Sequence, residues 1–261
     1  MGLVAAAVRP DPEPARWEQG LAWIPERCAT DYELVPWCGD PAGGYTPPRP
    51  GAAYYRPVAL RIADQCSTLN GPVDYERVRR VADAQAPWII ARELWDGAGS
   101  AADPYTLPSG GSPVSNAYLA STDAQIVGGS ATTAHPGLGR LEQAAMEATH
   151  GQPVMIHVPL VILPELSFAL RVVNNTLYSH AGNVIVADAG YPGTGPNGQT
   201  AGATVWMYAT PPVSVLMSPW DLAENDTWQV DRATNTRTVW ATRLFAATFD
   251  PCALFATEIT V

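Results

Sequence analysis

The residues of this chain whose types could do chemistry are its histidines, its glycine-rich turn, its cysteines and its arginines. His135, His150, His157 and His180 never fall three or four positions apart, so no single helix presents two of them to a metal ion. His157 sits in an apolar stretch and reads as a hydrogen-bonded core or interface residue. A Gly-x-Gly-x-x-Gly pattern occurs at Gly193, Gly195 and Gly198 and follows a strand, as a dinucleotide site requires. The residues after it, Val205, Trp206, Met207 and Tyr208, alternate as a strand does, so no helix N-terminus follows to receive a pyrophosphate. The pattern is expected to be a flexible loop between two strands. There is no Gly-x-Ser-x-Gly elbow, no pairing of a nucleophile with a base, and no pair of acids placed for general acid and base work. The expected roster of catalytic, cofactor-binding and metal-binding residues is therefore empty, and no cofactor is expected.

All 15 basic residues are arginine. Arginine brings rigid, planar, always-charged donors suited to carboxylate pairing at interfaces, and the missing lysine amine removes Schiff-base and lysine cross-link chemistry. Codon bias accounts for much of this choice. Set against 25 acids, the arginines leave a net charge of -10, which opposes tight binding to nucleic acid or to anionic membranes. Cys28, Cys38, Cys66 and Cys252 are too widely spaced for paired zinc-knuckle motifs. With no basic leader ahead of them they are expected to be thiols of an intracellular protein.

The elements that must position these groups start with residues 54–63, where Val58, Leu60 and Ile62 recur at a spacing of two and predict a half-buried strand. Asn70, Gly71 and Pro72 form a turn. A helix is expected over 74–96, with Asp74 as N-cap, Gly97 as stop, and Val78, Val81, Ala82, Trp88, Ile89 and Trp95 in one apolar stripe. Pro87 should kink or split it. Arg77, Arg79 and Arg80 flank the stripe, either as a solvated face pairing locally with Asp74, Glu76 or Asp83 or as a row of intersubunit salt bridges.

Residues 1–53 are rich in Pro, Gly and aromatics, with Trp17, Trp23, Trp37 and Tyr45 spread among turn residues. Such a segment cannot build its own core. It must be held by the rest of the chain or by neighbouring copies, with the tryptophans as anchors. Residues 98–135 form a weakly structured connection. A second helix is expected over 136–150, a strand over 153–159, and a third helix opening at Pro164 and Glu165 and fading near Asn174 and Asn175. Strands follow at 183–189, 203–210, 213–217 and 228–232, then 236–242 and 253–261 as a closing pair. The fold class is mixed α+β, with helices early and strands late.

This order of elements, with a helix ending Glu93, Leu94, Trp95, Asp96, Gly97 and a strand centred on Met155, Ile156 and His157, resembles the tailed-bacteriophage major capsid fold that encapsulins share. The resemblance covers roughly residues 54–260 and rests on pattern. It implies an N-terminal arm (1–19), an extended β-hairpin loop (20–53) and a peripheral domain (54–135) built on the 74–96 spine helix. An axial domain (136–235) and terminal strands returning to the peripheral domain (236–261) would complete it.

The same resemblance implies a structural, non-enzymatic protein of the virion, assembled in the host cytoplasm as an icosahedral shell around double-stranded DNA. The partners implied are further copies of the chain in pentamers and hexamers, a separate scaffolding protein and a portal. A decoration protein is an additional candidate; DNA would be contacted only weakly, and no membrane is involved. Trp17, Trp23, Trp37, Tyr45, Arg77, Arg79 and Arg80 are the candidate intersubunit contacts. The lysine to asparagine cross-link of some relatives is excluded here. An encapsulin-type compartment is the alternative, disfavoured because Pro10, Pro12 and Pro14 oppose the N-terminal helix that docks cargo. An enzyme with a site around Gly193 to Gly198 is the third reading.

Overall fold

The computed structural model describes residues 1–10, 14–23, 53–67, 75–99, 116–199, 203–224 and 236–261. A short helix, α1 (Leu3–Ala6), opens the chain, and β1 (Leu21–Trp23) pairs antiparallel with β2 (Ala53–Tyr55). Leu21 faces Tyr55 and Trp23 faces Ala53, so the two ends of the 20–53 segment are stitched together. Strand β3 (Val58–Ser67) leads to the long helix α2 (Tyr75–Asp96).

Helix α2 runs through Pro87 as one element, and its buried residues are Val78, Ala82, Ala86, Ile90, Ala91, Leu94 and Trp95. Ile89 is only partly buried, and Trp88 is 49% exposed. The expected stripe thus held for Val78, Ala82 and Trp95, took in Val81, Trp88 and Ile89, which are exposed or only partly buried, and left out Ala86 and Ala91; small side chains such as these alanines are what let two layers approach this helix closely. Gly97 adopts φ 63° and its N–H donates to Glu93 O at 2.7 Å, the left-handed stop the sequence calls for.

After β4 (Gln125–Ile126) comes α3 (Ala134–Ala148), then β5 (Met155–Pro159). The expected third helix is not formed. Residues 167–169 make one 3-10 turn, and β6 (Leu170–Val173) and β7 (Thr176–Ser179) form a hairpin about Asn174 and Asn175, at φ 48° and 63°. Two successive positive-φ residues are the signature of a tight turn whose twist matches paired strands, and asparagine tolerates that conformation better than most residues.

The remaining strands are β8 (Val184–Asp188), β9 (Thr204–Thr210), β10 (Ser214–Met217), β11 (Asp221–Glu224), β12 (Thr236–Thr248) and β13 (Phe255–Thr260). The strand expected at 228–232 falls outside the described residues. β12 is longer than expected and pairs with β3 along one side and with β10 and β11 along the other. β13 does not pair with β12. It joins a seven-stranded sheet in the order β4-β13-β9-β5-β8-β7-β6, so the two closing strands belong to different sheets.

Helix α2 lies between the two sheets, because its core takes in Leu60 and Val239 from one and Met155, Val186 and Tyr208 from the other. Helix α3 covers the opposite face of the seven-stranded sheet, packing Leu138 and Leu141 with Ile156, Ile185 and Met207. Alternate residues of β5, β8 and β9 therefore enter opposite cores, which is why these strands read as nearly continuous apolar runs. Cys252 is disulfide-bonded, which overturns the expectation of four free thiols.

Candidate subunit interface

Of the histidines, His135, His150 and His180 are exposed and His157 is absorbed into packing. His157 on β5 is fully buried, its Nδ1 2.9 Å from Tyr191 Oη and its Nε2 2.9 Å from Thr210 Oγ1. Burial pushes its pKa down to about 3, so the ring is neutral, a satisfied core histidine. Burial, and after it the carboxylate of Asp188, hold the Tyr191 hydroxyl well above its ordinary pKa.

The glycine-rich turn is packed as well. Trp95 Nε1 donates to Thr194 O at 3.1 Å and lies near Thr194 Oγ1 at 3.0 Å, and Tyr208 Oη donates to Thr194 O at 3.0 Å. A Cβ on Gly195 would stand 2.4 Å from the Trp206 ring. Gly195 thus admits an aromatic ring where a dinucleotide site would need open space, and a Cβ on Gly193 would meet Val205 at 3.2 Å. Among the described residues no group of three His, Cys, Asp or Glu is placed to hold a metal, and no helix is long and apolar enough to cross a membrane.

Exposed large apolar side chains stand singly at several points of the described residues, such as Trp88 and Ile126, but in one segment they fall together. Between β5 and β8 it makes an excursion in which Leu160, Val161, Phe168, Val172 and Val173 are all exposed, Phe168 by 87% and Val172 by 68%. The excursion ends in β6, the edge of the seven-stranded sheet. Its inner side is well tied down: Ile162 and Leu166 are fully buried, Leu166 N–H donates to Ile162 O at 3.3 Å, and His180 N–H donates to Ala169 O at 3.2 Å. An edge strand with exposed valines, close in sequence to an exposed phenylalanine, is a candidate contact surface, since exposed apolar patches mark interaction sites and open edges invite pairing.

The residues singled out in the sequence lie elsewhere. Trp17 is 3% exposed, packed with Leu21, Tyr55, Leu216 and Ala246 of its own chain. The Tyr55 hydroxyl in that cluster donates to Phe249 O. Of the two readings of the arm, the intramolecular one describes Trp17. The first residues also fold back on the body, with Leu3 fully buried and Val8 N–H donating to Val213 O at 2.9 Å. Trp23 lies at the end of β1; Trp37 and Tyr45 are outside the described residues. Arg77, Arg79 and Arg80 are exposed on α2, and Arg79 Nε stands 3.9 Å from Asp83 Oδ2, a local pair one turn along. The exposed excursion was missed because hydrophobic spacing reports which residues are apolar and not which ones the fold leaves uncovered.

No protein-family model matches the chain, and no curated protein is similar to it in sequence. Solved structures do match in fold. The capsid of an empty gene transfer agent particle, computed with C5 symmetry, matches with TM-score 0.55 at 12% identity over 100% of this chain and 90% of its own. A structure from Gordonia phage Cozz matches with TM-score 0.51 at 12% identity, covering 93% and 81%. The holo-SrpI encapsulin complex from Synechococcus elongatus PCC 7942 matches with TM-score 0.50 at 11% identity, covering 91% and 84%. At such identities the likeness concerns the fold, and the chain has the α+β capsid fold shared by tailed phages, gene transfer agents and encapsulins.

Proposed function

We propose that this chain is a structural shell protein whose copies close into an icosahedral head around double-stranded DNA. The observation that carries the reading is the exposed Phe168 and Val172 excursion at a sheet edge of a capsid-type fold. Each copy would present one surface to a different surface of the next, and rotation between copies closes the shell instead of extending a filament. The surplus of acids, a net charge of -10, keeps packed DNA from adhering to the wall. Trp23, Trp37, Tyr45 and the arginines 77, 79 and 80 remain proposed contacts between copies; Trp17 is spoken for within its own chain. A scaffolding protein, a portal and a decoration protein are proposed partners, with assembly in the host cytoplasm and residence in the virion.

Negative-stain microscopy and sedimentation of the purified chain, alone and with a co-expressed scaffold, test this reading. Closed particles are the expected result, and a chain that stays monomeric in every condition overturns it. The encapsulin match supports a second reading, a compartment for protein cargo. Particles that carry an enzyme and no DNA would favour it.

A further inference from the structure

Among the described residues the outer edge of β10 is only partly covered. Val8 bridges Ser214 in parallel and its N–H donates to Val213 O at 2.9 Å, so the N-terminal segment begins a strand beside β10. Pro10 has no N–H and cannot continue that strand. Beyond the bridge lies a groove of about 260 Å³ lined by Arg9, Pro10, Val215, Leu216, Met217 and Arg243. Val215 enters the core against α2, whereas Leu216 enters the opposite cluster with Trp17 and Tyr55. Three consecutive residues that alternate faces can border one groove only along the edge of their strand. Ser218 N–H donates inward to Leu244 O on β12 at 2.9 Å, so the alternation of an antiparallel ladder turns the N–H and C=O of Met217 outward, toward the groove.

Two cations attend this edge. Arg243 is fixed: its Nε and Nη2 donate to Ser218 O at 3.0 and 2.7 Å, and its guanidinium lies 4.4 Å from the centre of the Trp220 ring. Trp220 in turn donates to Asp83 Oδ1 on α2 at 2.6 Å. Among the described residues Arg243 makes no further hydrogen bond, though Asp83 lies near enough to act on its charge, and Arg9 is exposed beside the groove.

We propose that this edge receives an extended, carboxylate-bearing segment of a second copy of the chain, added to β10 as a strand and paired through its acid to Arg9 and Arg243. The partner rests on the shell reading above. A peptide fits because its main chain supplies both a donor and an acceptor to Met217, whereas a phosphodiester supplies acceptors alone. A carboxylate fits because a guanidinium fork matches its geometry, and copies of a chain with 25 acids and 15 bases bring carboxylates in surplus.

The test is to grow the chain with photo-methionine, which leaves both arginines in place, and to assemble particles from mixed ¹⁴N and ¹⁵N copies in the presence of duplex DNA. Mass spectrometry then reads the cross-links made by Met217. Cross-links that join light and heavy copies through an Asp- or Glu-bearing peptide are expected. Cross-links confined to one copy, or made to DNA, overturn the inference. In parallel, Arg9→Glu should cut particle yield roughly tenfold, since like charges would then meet across the interface, while the melting of unassembled chain stays unchanged. If wild type assembles and Arg9→Glu assembles equally well, the docking inference falls and the shell reading stands. A wild type that never assembles removes both.

Discussion

Leu3 N–H donates to Asp188 Oδ2 at 2.9 Å, joining residues 185 positions apart. The other carboxylate oxygen accepts from Gly190 N–H at 2.8 Å, so one buried acid holds both the N-terminal segment and the turn after β8. Hydrogen bonds to a charged group are worth roughly 1.5–3 kcal/mol each, and emptying a fully buried leucine site costs about 2–5 kcal/mol. Asp188→Ala and Leu3→Ala should each destabilise strongly, and the double variant should lose clearly less than their sum, because an arm released by one change has little left to lose from the other. Urea unfolding of the four chains measures this; strict additivity would show that Asp188 does not hold the arm.

His157 makes stability depend on pH. Its pKa is about 3 in the folded chain and near 6.5 when unfolded, so between those values the unfolded chain binds the extra proton. The stabilisation is complete above about pH 6.5 and drains away as pH falls toward 3. Going from pH 7 to 5 should cost about 2 kcal/mol through this residue alone. Denaturant unfolding at both values should show that drop in wild type and a distinctly smaller one in His157→Asn; equal drops would assign the pH dependence elsewhere.

Helices α2 and α3 and the core strand β5 were legible because period and caps agree locally: Gly97 and Gly151 take positive φ as stop residues should, at 63° and 78°. Residues 164–175 were misread for a physical reason. Leu166, Ala169, Leu170 and Val173 repeat at helical spacing after a proline start, yet paired asparagines at 174 and 175 close a hairpin, and the turn won. Strand β13 was visible as a strand, but its partner was not: pairing with β9 is a long-range choice that local pattern does not encode. The same holds for the arm on Asp188 and for the uncovered excursion, both of which depend on what the rest of the chain places beside them.

Glycine substitutions should separate close approach from mere flexibility. A Cβ on Gly190 would lie 2.5 Å from Trp88 O and 3.0 Å from Arg92 N, both main-chain atoms of α2 that cannot step aside. Gly190→Ala is expected to destabilise by about 1–3 kcal/mol. Gly139, exposed on α3, has nothing within 4 Å of its added Cβ. Gly139→Ala should therefore stabilise, by up to about 1 kcal/mol, through helix propensity. Paired melting curves of opposite sign are the expected result, and a neutral Gly190→Ala would mean that α2 and the β8 turn are not in close contact.

The exposed excursion should matter for association and little for folding. Phe168 and Val172 make most of their surface available to solvent, so the folded monomer gains little from them, and Phe168→Ser with Val172→Thr should change unfolding free energy by no more than about 0.5 kcal/mol. An interface that buries the phenylalanine ring would lose on the order of 2 kcal/mol per copy from the same change, repeated at every contact of a closed shell. Sedimentation velocity should accordingly show wild type in large particles and the double variant as small species with an unaltered melting temperature. Assembly at wild-type yield by the double variant would place the contact surface elsewhere on the chain, whereas a lowered melting temperature would mean that these side chains serve the monomer core after all.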